Sequence, residues 1–386
     1  MTILPGATLG MLGGGQLGHL FTIAARTMGY HVTVLDPDPD SPAGEIASNH
    51  LCVDYEDPAA LDELAKTCAA VSTEFENVPA ASLAELAKKC IVRPGAHAVA
   101  ITQDRIKEKT FLREASFPIV PFSVVRHPQD LEAGLKKVGT PAILKVSRFG
   151  YDGKGQITVT NLDEASLAWE SLQREDCVLE SCVTLDTEVS VVLARGVDGV
   201  VAVYPPGENS HRNGILDFTI VPARVQPALT EEAGKTAAQI AASLDFVGVM
   251  AVEFFVSSGK LLVNEIAPRP HNSGHYTLNA CVTSQFEQQV RALCELPLGD
   301  TRLLSPAVMV NLLGDLWQEE SSPPWQELLK HTEAKLHLYG KRHPRSGRKM
   351  GHYTVVAPSR DEAYELSRII FSALSQNQSE RCFSSS

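Results

Sequence analysis

Residues 150–156 combine three glycines with an aromatic, an acid and a cation, a composition typical of a phosphate-binding loop. The segment reads Gly-Tyr-Asp-Gly-Lys-Gly-Gln, and it follows an apolar strand pattern that carries Lys145. Glycine-dense backbone can wrap its amides around phosphate oxygens, and Lys154 supplies a compact positive charge. The segment does not match the Walker A sequence. A plain hairpin turn is the alternative interpretation, but such a turn needs only one glycine.

Two glutamates interrupt consecutive apolar strand patterns and together could bind a hard cation. Glu253 lies within Val249–Val256 and Glu265 within Leu261–Ile266, and the connection between the strands contains Ser257-Ser258-Gly259. A three-residue hairpin loop would make the carboxylates diagonal neighbours on one face, roughly 7–8 Å apart, whereas a two-residue turn would put them on opposite faces. Carboxylates beside bound phosphates suit Mg²⁺. The alternative is a solvent-facing strand edge, which the apolar neighbours disfavour.

A polar loop follows the second of these strands directly. Residues 267–275 include Arg269, His271, Asn272 and His275, which supply a guanidinium, two imidazoles and an amide. Many polar loops have no specific role. Because this one follows Glu265 without interruption, the sequence favours substrate binding.

Four further glutamates occupy strands or strand ends. Glu180 and Glu188 each interrupt an apolar pattern, where either could accept hydrogen bonds from a nucleotide base or ribose, or be an ordinary exposed acid. Glu74 and Glu76 end an early strand, at the edge where open α/β sheets place ligands. No Ser/His/Asp or Cys/His/Asn arrangement is specific enough to predict a covalent nucleophile.

A second glycine motif lies near the N-terminus. Residues 13–18 (Gly-Gly-Gly-Gln-Leu-Gly) contain G-x-G-x-x-G between a strand and a helix, and Asp36 ends the next strand. This arrangement is found in dinucleotide-binding folds, so an NAD-dependent dehydrogenase is one hypothesis. The alternatives are that the glycines only pack helix against strand and that Asp36 belongs to a turn.

The elements that must position these residues change in character along the chain. Residues 1–103 alternate short apolar strands with helical patterns, which indicates a parallel, doubly wound α/β sheet. From residue 104 to 296 strand patterns dominate, which favours α+β lobes. A smaller unit begins at about Pro297 and contains a strand over Ala307–Leu313.

Charge and composition exclude several classes of protein. The 386 residues fit two or three domains, and 34 Lys and Arg against 46 Asp and Glu give a net charge of −12, which disfavours a nucleic-acid binder. One stretch, residues 334–360, holds seven Lys and Arg and no acid, which indicates a local anion site. The eight scattered cysteines predict a cytoplasmic protein, and no apolar run reaches the roughly 18 residues of a membrane span.

Seven segments together resemble the ATP-grasp superfamily and, more closely, the N5-carboxyaminoimidazole ribonucleotide synthases. They run in order over nearly the whole chain: Leu12–Gly18, Glu74–Val78, Gln103–Lys109, Gly150–Gln156, Asn264–His275, Thr283–Arg291 and Arg348–His352. The resemblance implies a doubly wound N-terminal domain (1–103), a two-lobed ATP-grasp domain (104–296, with a lid lobe at 118–184) and a small C-terminal domain (297–386). It implies ATP- and bicarbonate-dependent carboxylation of 5-aminoimidazole ribonucleotide, through carboxyphosphate, in purine synthesis.

The resemblance also implies roles for individual residues. ATP would contact Arg105, Lys145, Gly150, Tyr151, Asp152, Gly153, Lys154, Gly155, Gln156, Glu180, Glu188, His211, Asn264 and Glu265. Glu253 and Glu265 would hold Mg²⁺. The ribonucleotide and bicarbonate would contact Gln16, Glu74, Tyr151, Asp152, Arg269, His271, Asn272, Lys341, Arg348 and Lys349.

Four of these residues are predicted to be catalytic. Lys154 would offset phosphate charge, and Arg269 would hold bicarbonate by two parallel hydrogen bonds. Asp152 or His271 would accept the proton of the amine. Related enzymes suggest a homodimer.

The sequence leaves three alternative functions to be considered. A sister ATP-grasp ligase, such as a formate-dependent glycinamide ribonucleotide transformylase or a biotin carboxylase, would share the ATP residues and differ in its acceptor. An NAD-dependent oxidoreductase would leave the 150–156 loop and the Glu253/Glu265 pair unexplained. A non-catalytic nucleotide-binding regulator would not need an intact set of metal-binding acids and cations.

Overall fold

The computed structural model describes residues 2–150, 153–317 and 322–375. Its N-terminal part is a parallel sheet with helices on both faces, in the strand order β3-β2-β1-β4-β5. The elements are β1 (Thr8–Leu12), α1 (Gln16–Thr27), β2 (His31–Leu35), α2 (Pro42–Ile46), β3 (Asn49–Leu51), α3 (Pro58–Thr67), β4 (Ala70–Thr73), α4 (Ala80–Ala87), β5 (Ile91–Val92) and α5 (Ala96–Thr102). The doubly wound prediction is confirmed.

This topology brings two candidate segments to one sheet edge. Strands β1 and β4 are neighbours on either side of the point where the strand order reverses. Their carboxyl ends lead into the glycine loop and into Glu74, respectively. Open α/β sheets bind ligands at such a crevice, so the sheet order itself explains why these segments meet.

The next part is an antiparallel sheet with two helices against it. It follows α6 (Arg105–Glu114) and consists of β6 (Phe122–Val125), α7 (Pro128–Val138), β7 (Ala142–Val146), β8 (Gln156–Val159), α8 (Leu162–Ser171) and β9 (Cys177–Ser181). The strand order in the described residues is β6-β9-β7-β8. Buried residues of the strands and both helices form one apolar core, so this part packs as a separate lobe.

The remaining strands form one large sheet. The elements are β10 (Thr187–Arg195), β11 (Val201–Val203), β12 (Gly207–Arg212), β13 (Ile215–Val221), α9 (Pro227–Ser243), β14 (Gly248–Ser257), β15 (Lys260–Ala267), α10 (Thr277–Ala280), α11 (Gln285–Leu293), β16 (Ala307–Leu313), α12 (Trp325–Leu329), β17 (Ala334–Leu338), β18 (Lys349–Val356) and α13 (Arg360–Leu374). In the described ranges the order is β15-β14-β10-β12-β13-β16-β18-β17, with β11 paired to β10.

The C-terminal strands therefore continue the central sheet. Strand β13 pairs with β16, with Phe218 opposite Val310. The basic stretch of the sequence, which contains β17 and β18, is attached in this way to the same sheet as Glu253. The domain limits at 103/104 and 296/297 stay predictions. Within the described residues, no helix is both long and apolar enough to cross a membrane.

Candidate active site

A cavity of about 540 Å³ lies where the N-terminal sheet edge, the lobe and the large sheet meet. Eighteen of the predicted site residues line it: Gln16, Glu74, Arg105, Lys145, Gly150, Gly153, Lys154, Gln156, Glu188, His211, Glu253, Asn264, Glu265, Arg269, His271, Asn272, Lys341 and Lys349. Residues from all three predicted domains thus face one space. Its size suits a nucleotide-sized ligand.

The two candidate metal ligands face each other across a hairpin. Ser257 pairs with Lys260, so of the two turn lengths considered, the hairpin has the two-residue turn. A β-bulge after Glu253 nevertheless shifts the register, and Glu253 lies directly opposite Glu265. The predicted diagonal arrangement is therefore replaced by direct pairing on one face. Burial, followed by the charge of Glu265, raises the pKa of Glu253 to about 7.

The donor atoms at this hairpin fit Mg²⁺. Among the described residues no group of three or more His, Cys, Asp or Glu side chains could hold a metal ion. Mg²⁺, however, takes one or two carboxylates and completes its shell with waters and substrate phosphates. The bulge residue Asn264 adds a buried Oδ1 atom that has no hydrogen-bond partner. Two carboxylates and this amide oxygen form an all-oxygen set that suits a hard cation.

Buried ion pairs fix the cations on the lobe side of the cavity. Lys145 Nζ donates to Glu180 at 2.6 Å, and Lys109 Nζ lies 3.3 Å from the same carboxylate. Glu180 is 1% exposed and lies beneath the cavity wall, so it holds Lys145 in place instead of lining the space itself. Arg105 lies 3.5 Å from Glu265.

A second pair involves a histidine of the large sheet. His211 Nδ1 lies 3.0 Å from Glu188. Burial alone would lower the pKa of His211, but the hydrogen bond to Glu188 and the charge of Glu253 outweigh it and raise the pKa. The site therefore carries a cationic imidazole over a wider pH range than an exposed histidine would.

Arg269 lines the cavity, and its guanidinium is paired with a carboxylate of the N-terminal part. The Nε atom of Arg269 and one terminal nitrogen each donate to a carboxylate oxygen of Glu76. The other terminal nitrogen donates to Pro270 O at 3.2 Å. The two parallel hydrogen bonds expected for bicarbonate are thus made to Glu76. The pair joins the end of the N-terminal sheet to the loop after β15.

His271 is a neutral imidazole, and each of its ring nitrogens lies near a side-chain oxygen atom. Burial, with help from the charge of Arg269, lowers its pKa well below the usual value. Its Nδ1 lies 2.8 Å from Ser273 Oγ, and its Nε2 lies 3.6 Å from Glu253. The amide of the neighbouring Asn272 forms a reciprocal hydrogen-bonded pair with Asn311. Asn272 therefore fixes the loop to β16.

The N-terminal glycine loop is closed by protein side chains. Glu74 accepts hydrogen bonds from the amides of Gly15 and Leu17, and Gly14 N donates to Asp36 at 2.7 Å. A Cβ atom at Gly15 would lie 2.4 Å from Glu74 Oε1. The glycines thus admit a carboxylate where a dinucleotide pyrophosphate would bind. This geometry argues against the NAD hypothesis.

Comparison with known proteins agrees with these features. Models of the ATP-grasp domain, the ribonucleotide synthetase preATP-grasp domain and the phosphoribosylaminoimidazole carboxylase C-terminal domain match residues 110–286, 6–103 and 307–366. The N5-carboxyaminoimidazole ribonucleotide synthase of Bacillus subtilis (strain 168) is 44% identical over 361 residues, covering 93% of this chain and 94% of the relative. The chain belongs to the N5-carboxyaminoimidazole ribonucleotide synthase family.

Two solved structures of this family are similar over almost the whole chain. The Staphylococcus aureus synthetase complexed with ADP superimposes with a TM-score of 0.90 at 38% identity, covering 96% of this chain and 98% of that one. The Aspergillus clavatus synthase in complex with ADP and 5-aminoimidazole ribonucleotide gives 0.88 at 30% identity, covering 96% and 99%. The predicted family and its three-part architecture are confirmed.

Three of the predicted residues that the structure describes do not line the cavity. Two of them, Gly155 and Glu180, are absent from the cavity wall. Arg348 is the third, and its guanidinium donates to His343 O at 2.7 Å. The neighbouring Lys349 lines the cavity instead. The predictions for Tyr151 and Asp152 lie outside the described residues.

The sequence interpretation missed two residues of α6. Glu108 and Lys109 are 3% and 0% exposed. Both contact the backbone of β15. Helical spacing could have identified Lys109 as a residue of the buried helix face. It lies three residues from Ile106 and three from Leu112, which are apolar and are buried in the structure. A charged residue at an apolar position of a helix is a candidate for a buried ion pair.

A cluster of buried imidazoles adjoins the site. His275 and His352 are both 0% exposed, with ring centroids 4.9 Å apart, and His337 stacks on His352 at 4.6 Å. His275 Nδ1 lies 3.0 Å from the side-chain amide of Gln285, which also contacts His271 backbone atoms. Burial lowers the pKa of His275 and His352 well below the usual value.

This cluster predicts a loss of stability in mild acid. Imidazoles that are neutral when folded bind protons only on unfolding, so the free energy of unfolding falls as the pH drops below about 6.5, by about 1.4 kcal/mol per pH unit for each imidazole. We expect His352→Phe to remove the contribution of one imidazole from that slope. The check is the free energy of unfolding, measured by urea denaturation at several pH values between 5 and 7.5. An unchanged slope would contradict the prediction. Exposed His97→Gln is the matched control.

Proposed function

We propose that this chain uses ATP and bicarbonate to carboxylate the amine of 5-aminoimidazole ribonucleotide, releasing ADP and phosphate. The observation that carries the proposal is one cavity that holds the Glu253/Glu265 pair, Lys154 of the glycine-rich loop and Lys349 of the basic stretch. The carboxylates and the loop suit a metal nucleotide, and the basic stretch suits a second phosphorylated ligand. The name of the Aspergillus clavatus complex, with ADP and the ribonucleotide, supports this pair of ligands.

The chemistry needs an activated form of bicarbonate, which is a poor electrophile. An oxygen of bicarbonate attacks the γ-phosphorus, the bond to the ADP oxygen breaks, and carboxyphosphate forms. The amine then attacks the carboxyl carbon, phosphate leaves, and the amine gives up a proton. Such transfers depend mainly on positioning and charge compensation, which Lys145, Lys154 and Arg105 provide at the cavity wall.

Magnesium completes this arrangement in the proposal. Glu253, Glu265 and the Oδ1 of Asn264 would hold it, because they supply only oxygen atoms. When bound, Mg²⁺ offsets the negative charge of the transferring phosphate. Glu188 and His211 face the same cavity and would orient the nucleotide.

Arg269 and His271 would act on the bicarbonate side. Glu76 holds the guanidinium of Arg269 in place. We infer that the positive charge of Arg269 stabilises carboxyphosphate electrostatically and not through two direct hydrogen bonds. Neutral His271 is a candidate proton acceptor, and the same role for Asp152 stays a prediction. Homodimer formation and a cytoplasmic location also stay predictions.

Lys349 is proposed to contact the phosphate of the ribonucleotide. A charge-assisted hydrogen bond contributes about 1.5–3 kcal/mol, so Lys349→Met is expected to raise the KM of the ribonucleotide by at least about tenfold. Arg348→Met is the neighbouring control, and it should leave that KM unchanged because Arg348 lies outside the cavity. Steady-state kinetics in both substrates would test this. Equal effects of the two substitutions would contradict the assignment.

The function is tested by measuring phosphate release from MgATP and bicarbonate, with and without 5-aminoimidazole ribonucleotide. The proposal expects release that the ribonucleotide stimulates. No stimulation would overturn it. The same assay with glycinamide ribonucleotide and formate tests the sister ligase, and an NAD-dependent absorbance change would favour the oxidoreductase.

A further inference from the structure

Helix α6 presents two adjacent ionisable side chains to the edge of the large sheet. Glu108 and Lys109 are 3% and 0% exposed, so both groups are buried. A buried charge is costly unless it is paired or hydrogen-bonded. The hydrogen-bond partners of these two side chains therefore indicate their structural role.

Both side chains contact the same short backbone segment. Lys109 Nζ donates to Asn264 O at 2.8 Å, and Glu108 Oε1 accepts from Ile266 N at 2.5 Å. The two contacts lie immediately before and immediately after Glu265. Strand β15 is the edge strand of its sheet in the described ranges, and beyond it lies only an isolated bridge between Ile119 and Val263, so no named strand takes the groups of residues 264 and 266.

The segment that they contact is the β-bulge. With a two-residue turn and no bulge, Glu253 would pair with Asn264, and Glu265 would point to the opposite face of the sheet. The extra residue in β15 brings Glu265 opposite Glu253. A bulge interrupts the ladder and leaves backbone groups unpaired. Glu108 and Lys109 supply partners for groups at this position.

We propose that Glu108 and Lys109 are positioning residues that hold the 264–266 bulge, and thereby keep Glu265 on the face of Glu253. The inference rests on the proposed role of the two glutamates in holding Mg²⁺. Lys109 also contacts Glu180 at 3.3 Å, so the bulge is connected to the buried ion pair that holds Lys145. Neither α6 side chain binds the metal ion itself.

The test measures metal binding separately from nucleotide binding. Titrating Mg²⁺ into the full-length protein with ADP, and following the rise in Tm, gives a Mg²⁺ half-saturation constant. Residues that orient metal ligands typically change metal affinity 10–100-fold, so Glu108→Ala and Lys109→Met should raise this constant about tenfold. ADP binding in EDTA should stay unchanged in Glu108→Ala. Lys109→Met also removes a partner of Glu180, so for this variant only the Mg²⁺ constant is compared. Glu114→Gln and Lys107→Met, exposed on the same helix, are matched controls.

Two conservative variants keep the test decisive if Glu108→Ala does not fold. Glu108→Gln keeps an acceptor oxygen at the same reach, whereas Glu108→Asp keeps the carboxyl group and loses one methylene. If Glu108 positions the bulge, the glutamine variant should bind Mg²⁺ more tightly than the aspartate variant. The reverse order, unchanged Mg²⁺ constants in Glu108→Ala and Lys109→Met, or an equal loss of ADP binding in EDTA in Glu108→Ala would overturn the inference.

These readouts do not depend on the reaction. If the wild-type protein showed no ribonucleotide-stimulated phosphate release, the proposed function would fail. A weaker Mg²⁺ constant in Glu108→Ala would still support the positioning role.

Discussion

The substitution Glu265→Gln is expected to lower kcat/KM for MgATP by about 10³-fold. Metal ions stabilise transferring phosphoryl groups by several kcal/mol, and about 4 kcal/mol corresponds to this factor. Glu265 is one of only two carboxylates at the centre of the hairpin in the described structure, and it lies directly opposite Glu253. Glutamine keeps the size of the side chain and removes the charge that the proposed metal needs.

Kinetics at increasing Mg²⁺ would check this expectation. A lost ligand should leave a defect that saturating Mg²⁺ does not repair, whereas Glu108→Ala should recover most of its turnover. Circular dichroism and ADP binding in EDTA should match the wild-type protein. A loss smaller than about tenfold, equivalent to 1.4 kcal/mol, would show that Glu265 is not a principal ligand.

The hairpin also shows what the sequence could and could not predict. Acids within apolar strands were sufficient to select Glu253 and Glu265. Their mutual geometry depended on turn length and on a bulge at Asn264, which hydrophobic alternation does not reveal. The bulge is held by contacts from α6, more than 150 residues away in sequence. Such long-range contacts are not encoded in local pattern.

The N-terminal loop illustrates the opposite case, a motif with more than one use. Its glycine spacing is compatible with binding a dinucleotide and with accepting a carboxylate from the neighbouring strand. Only the parallel pairing of β1 with β4 brings Glu74 to the loop, and this pairing decides between the two uses. Likewise, the sequence selected Arg269, but its contact with Glu76 depends on how two domains pack.

Elements with strong periodicity were predicted well, and short polar ones were not. Strand β16 has the predicted bounds, Ala307–Leu313. Strand β12 (Gly-Glu-Asn-Ser-His-Arg) carries polar residues at most positions and was missed. It is stabilised by pairing with β10 and β13 inside the large sheet, where neighbouring strands override weak intrinsic preference.

Glu180→Gln is expected to destabilise the protein by about 3–5 kcal/mol, the usual cost of removing one partner of a buried ion pair. The Glu180 side chain is 2% exposed and lies between Lys145 and Lys109, at 2.6 and 3.3 Å. Burial alone would raise the pKa of Glu180, but the two ammonium groups outweigh it and lower the pKa to about 2. Glutamine would leave both cations buried without a counter-charge.

The pH dependence separates this charge effect from a packing effect. Because the folded pKa lies below the ordinary value of 4.5, the carboxylate contributes stability above about pH 4.5 and loses it as the pH falls through about 2. The difference in unfolding free energy between wild type and variant, measured by urea denaturation, should therefore stay constant from pH 7 to about 5 and shrink as the pH falls from about 4.5 towards 2. Glu170→Gln removes an exposed ion pair with Arg174 and should cost less than about 1 kcal/mol at every pH. A pH-independent difference for Glu180→Gln would mean that lost packing, and not the lost charge, causes the destabilisation.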